Sequence, residues 1–467
     1  SQKNAGEAMI GKILQPEISE LIQKRNLSPI KELIDEWTPA DLADLISCLP
    51  DTDCAVFFRV LPKDVEIETF EYLEIEDQMN LLKAMGNEEV SNILNEMSPD
   101  DRTALFEELP ASITKQLMSL LSTEERAIAK QLLGYPENSI GRLMTPDYIA
   151  VEEDWSIKEV LDYIRENGED SETLNTIYVV NEKGQLVDDI RIREFLLNPL
   201  HKKVYDLMDN NFVCLSASED QEQAVEVFKK YDKLSIPVVD SQGVLIGIIT
   251  VDDVLDVAEE EATEDIQKLG AVSALEDSYV DTTIPQMIKK RVGWLAVLFV
   301  SGSLTASAIG IFEEELAKAL VLSLFIPLVI ASGGNSGSQA ATLVTRALSL
   351  GEISIGDWWG VMKKEFITGL FLGLILAGIG FFRIAILEVL NLSHLDYWFL
   401  ISLSVSTALI GVVLWGTFVG AMLPLLLKRL GFDPATSSAP FVSTLVDVTG
   451  IIIYFTCAAL FLRGTLL

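Results

Sequence analysis

The stretch Phe325 to Leu348, "FIPLVIASGGNSGSQAATLVTRAL", decides what kind of protein this is. It opens as a lipid-compatible apolar run, yet Gly333 to Gln339 supplies seven consecutive small or polar residues, and no charge appears before Arg346. Two physical readings exist. Gly333 and Gly337 stand four apart, a spacing that lets two helix backbones approach closely. Asn335, Ser336, Ser338 and Gln339 are tolerated at membrane depth only where they are buried in protein or line a wet cavity. The stretch therefore predicts a membrane helix flanking a water-filled path, with Gly333, Gly334, Asn335 and Gly337 as candidate pore residues.

The surrounding sequence extends this to a multispan domain. From Val292 on, five apolar segments (292–312, 316–350, 366–390, 398–427 and 439–462) each approach or exceed the roughly 20 residues that cross about 30 Å of hydrocarbon. The second is overlong, so tilt or a break is expected. In the last, "SSAPFVSTLVDVTGIIIYF" from Ser437, Asp447 is the one acid. A carboxylate facing lipid is costly, so such residues face a bundle interior or an aqueous route. Pro440, expected to free a carbonyl one turn earlier, joins Ser443 and Thr444 in adding oxygen ligands, a set that suits a hard cation. In a two-fold dimer, two copies of Asp447 facing each other across the axis match the charge of one divalent ion.

Charge separates the chain into two parts. Of 70 acids only 10 lie from Ile284 onward, and of 35 bases 11 do, which leaves 60 acids against 24 bases in the first 283 residues. That field attracts cations and repels nucleic acid, which is discarded as a partner. If the acidic part is cytosolic, Lys289, Lys290, Arg291, Arg346, Lys363, Lys364, Lys428 and Arg429 all fall inside. "FEEEL" with Lys318, "EVLNLSHLDYW" and the tail near Arg463 then fall outside. This basic asymmetry predicts a multi-pass protein in the lipid of the plasma (inner) membrane, N-terminus cytoplasmic and C-terminus outside. Four cysteines without a CxxC pair and two histidines fit a reduced, cytosol-facing chain without a transition-metal cluster. The first residues, "SQKNAGEAMIGKILQPE", lack an apolar core of signal-peptide type, so no processing is expected.

The acidic part is itself repetitive. "TPADLADLISCLP" from Thr38 and "SPDDRTALFEELP" from Ser98 share an N-cap, a proline at the first helical position and first-turn acids, which predicts a small superhelix of helix pairs. Then "GRLMTPDYIAV" and "YDLMDNNFVCL" each open a strand, helix, strand, turn, strand, helix order, with Gly184 and Gly243 at the hairpins. These copies resemble tandem cystathionine-β-synthase (CBS) domains, which often bind adenosine nucleotides. Gly247, Thr250 and Asp253 of "GIITVDD" fit the usual pattern, which makes ATP a candidate cofactor, whereas the first copy has Asp188, Arg191 and Glu194 there. Downstream, Glu261, Glu264 and Asp265 lie three and four apart and share a helix face. Asp253, Asp256 and Glu260 precede them along the same run.

Taken together, "GGNSGSQAATLVTRALSLGEI" and "GAMLPLLLKRLGFDPATSSAPFVSTLVDVTGIIIYF" resemble the MgtE family of magnesium channels, in register with the whole domain order. The resemblance implies a homodimer with five helices per chain, a pore between subunits, Asp447 as the carboxylate holding hydrated Mg2+, and Asp433 at the cytoplasmic mouth. It also implies that Asp253, Asp256, Glu261, Glu264 and Asp265 bind Mg2+ as a sensor. Ala439 departs from a relative that carries Asn there, so one contact to the ion's waters is missing. The expected fold is multidomain: an all-α superhelical N domain (17–134), tandem α/β CBS domains (139–257), a plug helix (258–283) and a five-helix pore domain (284–467). The expected function is a Mg2+-selective uptake channel closed by cytosolic Mg2+; the alternative is a Na+- or H+-coupled divalent-cation exchanger. No catalytic residues are expected, because the chain has no P-loop, Cys-His pair or nucleophile elbow.

Overall fold

The computed structural model describes residues 4–34, 36–169, 171–275, 279, 282–390 and 397–466. Part of the connector expected at 258–283 and part of the "EVLNLSHLDYW" loop lie outside the described residues. The chain forms two compact units, Ser1–Ala258 and Glu259–Leu467.

In the first unit, ten helices of the described residues run from Asn4 to Leu132. Helix α1 (Pro39–Ser47) begins as its sequence dictates: Pro39 needs no amide partner there, the Asp41 amide donates to Thr38 Oγ1 at 3.3 Å, and the Thr38 amide donates to Asp41 Oδ2 at 3.3 Å. Helix α2 (Pro99–Glu108) differs from the expected cap. The amide and hydroxyl of Ser98 both donate to Glu71 Oε1, at 2.8 and 3.0 Å, so the residue ties α2 to an earlier helix instead of capping its own. Helices α3 (Ala111–Met118) and α4 (Thr123–Leu132) follow. Arg102 of α2 is fully buried; it pairs with Glu125 of α4 and donates from Nη1 to the Leu94 carbonyl at 2.9 Å. An apolar core from Ile18 to Ala129, with Phe57, Phe58 and Phe70 buried, closes the array.

Two three-stranded sheets come next. In each, a parallel pair is followed by an antiparallel hairpin: β1 (Ala150–Glu152), β2 (Thr176–Val180) and β3 (Leu186–Arg191), then β4 (Leu215–Ser216), β5 (Ser235–Val239) and β6 (Leu245–Thr250). Gly184 and Gly243 take φ of 74° and 79° at the two hairpins, a conformation that suits glycine. The hairpins also pair with each other, Leu186 N to Gly243 O and Leu245 N to Gly184 O, both 3.0 Å. The buried Tyr178 and Ser235 hydroxyls, 2.8 Å apart, add a second link between the repeats. Helix α5 (Val251–Leu269) leaves the last strand without a break.

In the second unit, five helices of the described residues are long and apolar enough to cross a membrane. They are α6 (Ile284–Ile311), α7 (Ile326–Ser349), α8 (Trp358–Val389), α9 (Trp398–Arg429) and α10 (Ala439–Leu462). The overlong second segment is divided before Ile326 by a helix at Glu313–Lys318 and a 3-10 turn at Leu320–Leu324. The polar run itself is unbroken α-helix. Its glycines are explained by packing: a Cβ at Gly420 would lie 2.0 Å from the Gly337 carbonyl oxygen, and one at Gly416 would lie 2.3 Å from that of Gly333. Four glycines thus bring the α7 and α9 backbones into contact.

Candidate functional site

The side chains of α10 place Asp447 on one stripe with Ser443, Thr444 and Pro440, at helical offsets of four, three and seven. Asp447 is half-buried and, among the described residues, has no hydrogen-bond or ion-pair partner. It looks onto α7 where that helix has no side chain. A Cβ at Gly334 would come within 2.4 Å of Ser443 Oγ and 3.5 Å of Asp447 Oδ1. Thr444 Oγ1 is tied to the Phe441 carbonyl at 2.8 Å, while Ser443 keeps its hydroxyl toward Gly334. The arrangement sets the Ser443 hydroxyl and the Asp447 carboxylate together against the backbone at Gly334, oxygens of the kind a hard cation takes.

Four other expected pore residues are placed differently. Gly333 and Gly337 are closed by Val412, Val446, Val442 and the Gly416 carbonyl, so they pack helices and line no open space within the chain. Asn335 is exposed and, among the described residues, has no hydrogen-bond partner. Pro440 occupies the first turn of α10, where its missing N–H costs no helical bond, so it starts the helix and frees no carbonyl within it. The two serines of the run find partners on neighbouring helices: Ser336 Oγ and Thr417 Oγ1 are 2.8 Å apart, and Ser338 Oγ donates to the Ala439 carbonyl at 3.0 Å.

Within the second unit, the last turns of α5 reach the ends of α7 and α9. Asp265 accepts from Ser349 Oγ at 3.0 Å, and Lys268 Nζ lies 2.7 Å from Asp433 Oδ2 and also pairs with Glu264. Asp433 further accepts from the Ala435 amide at 2.8 Å, which fixes the turn into α10. Burial pushes the Asp265 carboxyl up, against the Ser349 hydrogen bond, and the Asp433 charge adds to the shift. Glu261 is half-buried one turn earlier on α5.

A second group of carboxylates lies in the first unit. Asp253 accepts from Thr250 Oγ1 at 2.7 Å, and burial first, then the charges of Asp252 and Asp256, push it up to about 6. Asp100, only 8 % exposed, has an Oδ1 with no partner among the described residues. Burial and the charges of Asp253, Asp101 and Glu172 push its pKa up. Asp101 is pushed up to about 8 by burial and by Glu71, Asp253 and Glu172. Asp100 and Asp101 look like ordinary first-turn acids, while Glu71 ends its helix and Glu172 lies outside any helix, so none of the four stands out in sequence. Among the described residues, no three His, Cys, Asp or Glu side chains are already grouped as a metal centre. Asp100 Oδ1 is thus a buried acceptor without a hydrogen bond among the described residues, a cost that a donor or a cation would relieve.

For a nucleotide, Gly247, Thr250 and Asp253 do converge at the end of β6 and the start of α5. Val238 faces Gly247 in the ladder as Val179 faces Asp188, so the two repeats align as the sequence pairs imply. Asp188 accepts from the Asp209 and Asn210 amides at 2.8 and 3.0 Å, a structural task that leaves it buried.

Comparison with known proteins gives a consistent result. Family models match the chain as a divalent cation transporter domain over residues 326–457, an MgtE intracellular N domain over 37–138, and CBS domains over 140–198 and 204–260. The chain is 38% identical to the magnesium transporter MgtE of Thermus thermophilus over 96% of its own length and 98% of the relative's. It is 31% identical to the protein of the same name from Bacillus subtilis, over 95% and 96%. The crystal structure of the soluble part of a magnesium transporter superposes with a TM-score of 0.50, at 24% identity, over 55% of this chain and 99% of that one.

Proposed function

The chain belongs to the MgtE family of magnesium transporters, and on that premise we propose that it is a homodimeric Mg2+ channel of the plasma membrane, closed from the cytosol by Mg2+ itself. The observation that carries the reading is Asp447: a half-buried carboxylate without a partner among the described residues, the one charge on its membrane helix, facing the bare backbone at Gly334. A structural aspartate at that depth would be expected to use its oxygens on a neighbour.

Mg2+ dehydrates reluctantly, so two Asp447 carboxylates meeting across a two-fold axis accept hydrogen bonds from its water shell and neutralise its charge. Ser443 and Thr444 extend the polar stripe, and the absence of a side chain at Gly334 lets Ser443 and Asp447 keep their places against α7. Ala439 gives the entrance one polar contact fewer than an asparagine would. An inside-negative potential supplies about 2.3 kcal/mol per charge per 100 mV, hence about 4.6 kcal/mol for Mg2+, enough for uptake without a coupled ion.

Closure uses the acids before α6. At high cytosolic Mg2+, ions bound by Asp253, Asp256, Glu261, Glu264 and Asp265, with Asp100 and Asp101, offset repulsion and favour the closed arrangement; at low Mg2+ the repulsion returns. ATP or a related adenosine nucleotide is assigned to Gly247, Thr250 and Asp253. The orientation is N-terminus cytoplasmic and C-terminus outside, from the distribution of Lys and Arg. Flux of Mg2+ into proteoliposomes tests the reading. Wild type should conduct and Asp447→Ala should fall to the protein-free background, whereas equal flux in the two would refute it.

A further inference from the structure

The residues before Ile284 carry 60 acids against 24 bases, so surfaces there should repel anions. One place departs from this. A cavity of about 610 Å3 lies where the α2 to α4 end of the helical array meets the start of the first CBS repeat, and Lys115, Arg126, Lys130 and Arg142 all line it. The single acid in that lining, Glu107, is already paired with Arg142.

The two arginines are held in place by backbone. Arg126 donates from Nε to the Met118 carbonyl at 2.7 Å and from Nη2 to those of Ser119 and Leu121 at 3.0 and 2.8 Å. Arg142 donates from Nε to the Tyr135 carbonyl at 2.8 Å. A guanidinium has five donors, and these bonds fix each plane without using all of them. Among the described residues, Nη1 of Arg126 and Nη2 of Arg142 have no partner. Lys115 and Lys130 are exposed and make neither an ion pair nor a hydrogen bond among the described residues. Beneath these groups, Leu109, Met118 and Leu133 supply an apolar floor.

Positive charge that serves only solubility would be scattered among the abundant acids. Here it converges on a concavity whose volume falls within the roughly 300–1,000 Å3 of small-molecule sites. Preorganised guanidinium forks beside mobile ammonium groups match phosphate oxygens. We propose that this cavity binds a small organic anion carrying two or more phosphate charges, its phosphates on Lys115, Lys130 and the two unengaged guanidinium nitrogens, its apolar body on the floor. Because Arg142 belongs to the first CBS repeat and the other three cations to the helical array, the ligand joins the two. The site is independent of ion passage, so its fate does not depend on that of the proposed channel.

Isothermal titration of the full chain in detergent, without Mg2+, tests it with dimethylallyl diphosphate, an organic diphosphate without adenosine, and with inorganic pyrophosphate. Both should bind saturably at one site per chain, and Lys115→Glu with Lys130→Glu should weaken both at least about 10-fold. Both lysines are exposed and unpaired among the described residues, so unchanged melting is expected, and Lys115→Gln with Lys130→Gln gives a milder loss in the same direction. No saturable heat with pyrophosphate, dimethylallyl diphosphate binding that survives the double reversal, or binding of a polyglutamate peptide in place of both probes would overturn the proposal.

Discussion

Lys268 Nζ lies 2.7 Å from Asp433 Oδ2, so a cation on α5 meets the turn that leads into α10. The same ammonium pairs with Glu264, and Asp265 stands beside it on Ser349. One fixed positive charge thus faces three carboxylates, and full neutralisation needs a further cation. Lys268→Met removes the resident charge and should raise the Mg2+ concentration that half-inhibits current by about 2- to 5-fold, the scale of a partly exposed ion pair. Lys268→Arg, which keeps a positive charge beside Asp433, should follow the wild-type curve. An inhibition curve in Lys268→Met that overlays wild type would show that the contact has no part in closure.

The glycines of α7 and α9 separate stability from passage. Gly420→Ala places a Cβ 2.0 Å from the Gly337 carbonyl, a backbone clash that no rotamer relieves. It should cost about 1–3 kcal/mol or more and lower the melting temperature in detergent. Gly334→Ala meets mainly Ser443 Oγ, a side chain that can turn aside toward Asp447. Its melting should change less, while Mg2+ flux falls about 10-fold, the scale of losing roughly 1.4 kcal/mol of transition-state accommodation. Gly378→Ala, where a Cβ meets nothing within 4 Å, should leave both unchanged.

How much of this was legible in the sequence differs by element. Asp447 stood out because one acid in an apolar helix has few physical excuses, and the CBS repeats because strand and turn signals recur in register. Gly333 and Gly337 drew attention for the right spacing, but the sequence left packing and lining as equal readings. The deciding partners, Gly416 and Gly420, lie over 75 residues away in a helix read only as apolar. Pro440 was misassigned because one or two positions separate a helix-starting proline from a helix-breaking one. Asp100 and Asp101 look like routine first-turn acids, and only the folded chain brings them to Asp253.

Protons should substitute in part for Mg2+ in the first unit. Asp253 and Asp101, pushed up to about 6 and about 8, bind protons in the folded arrangement that the unfolded chain has already released. Between the ordinary carboxylate range and pH 8, the folded form therefore holds more protons, and the sign of the linkage makes it less stable as pH rises. In Mg2+-free buffer, proteolysis of the N-terminal part should be slower at pH 6 than at pH 8, after correction for protease activity on a denatured substrate. Added Mg2+ should protect more at pH 8, where more carboxylates are charged. Protection by Mg2+ that is equal at both values would separate the metal's effect from these acids.

Asp100 offers the sharpest version of the same test. Its Oδ1 is buried and has no partner among the described residues, beside Asp101, Glu172 and Asp253. A buried acceptor left unsatisfied costs about 1–3 kcal/mol, more if charged, and a bound cation would remove that cost. Asp100→Asn keeps the shape, deletes the charge and adds a donor able to reach the neighbouring carboxylates. The variant should therefore resist protease without Mg2+ better than wild type does, and gain less when Mg2+ is added. In recordings, it should close at lower Mg2+. A leucine in place of the amide would confuse lost charge with altered packing, so the isostere is the informative change. If Asp100→Asn instead shows the wild-type Mg2+ response in both proteolysis and current, the orphaned carboxylate is a local structural feature, and the cation that closes the protein is held elsewhere.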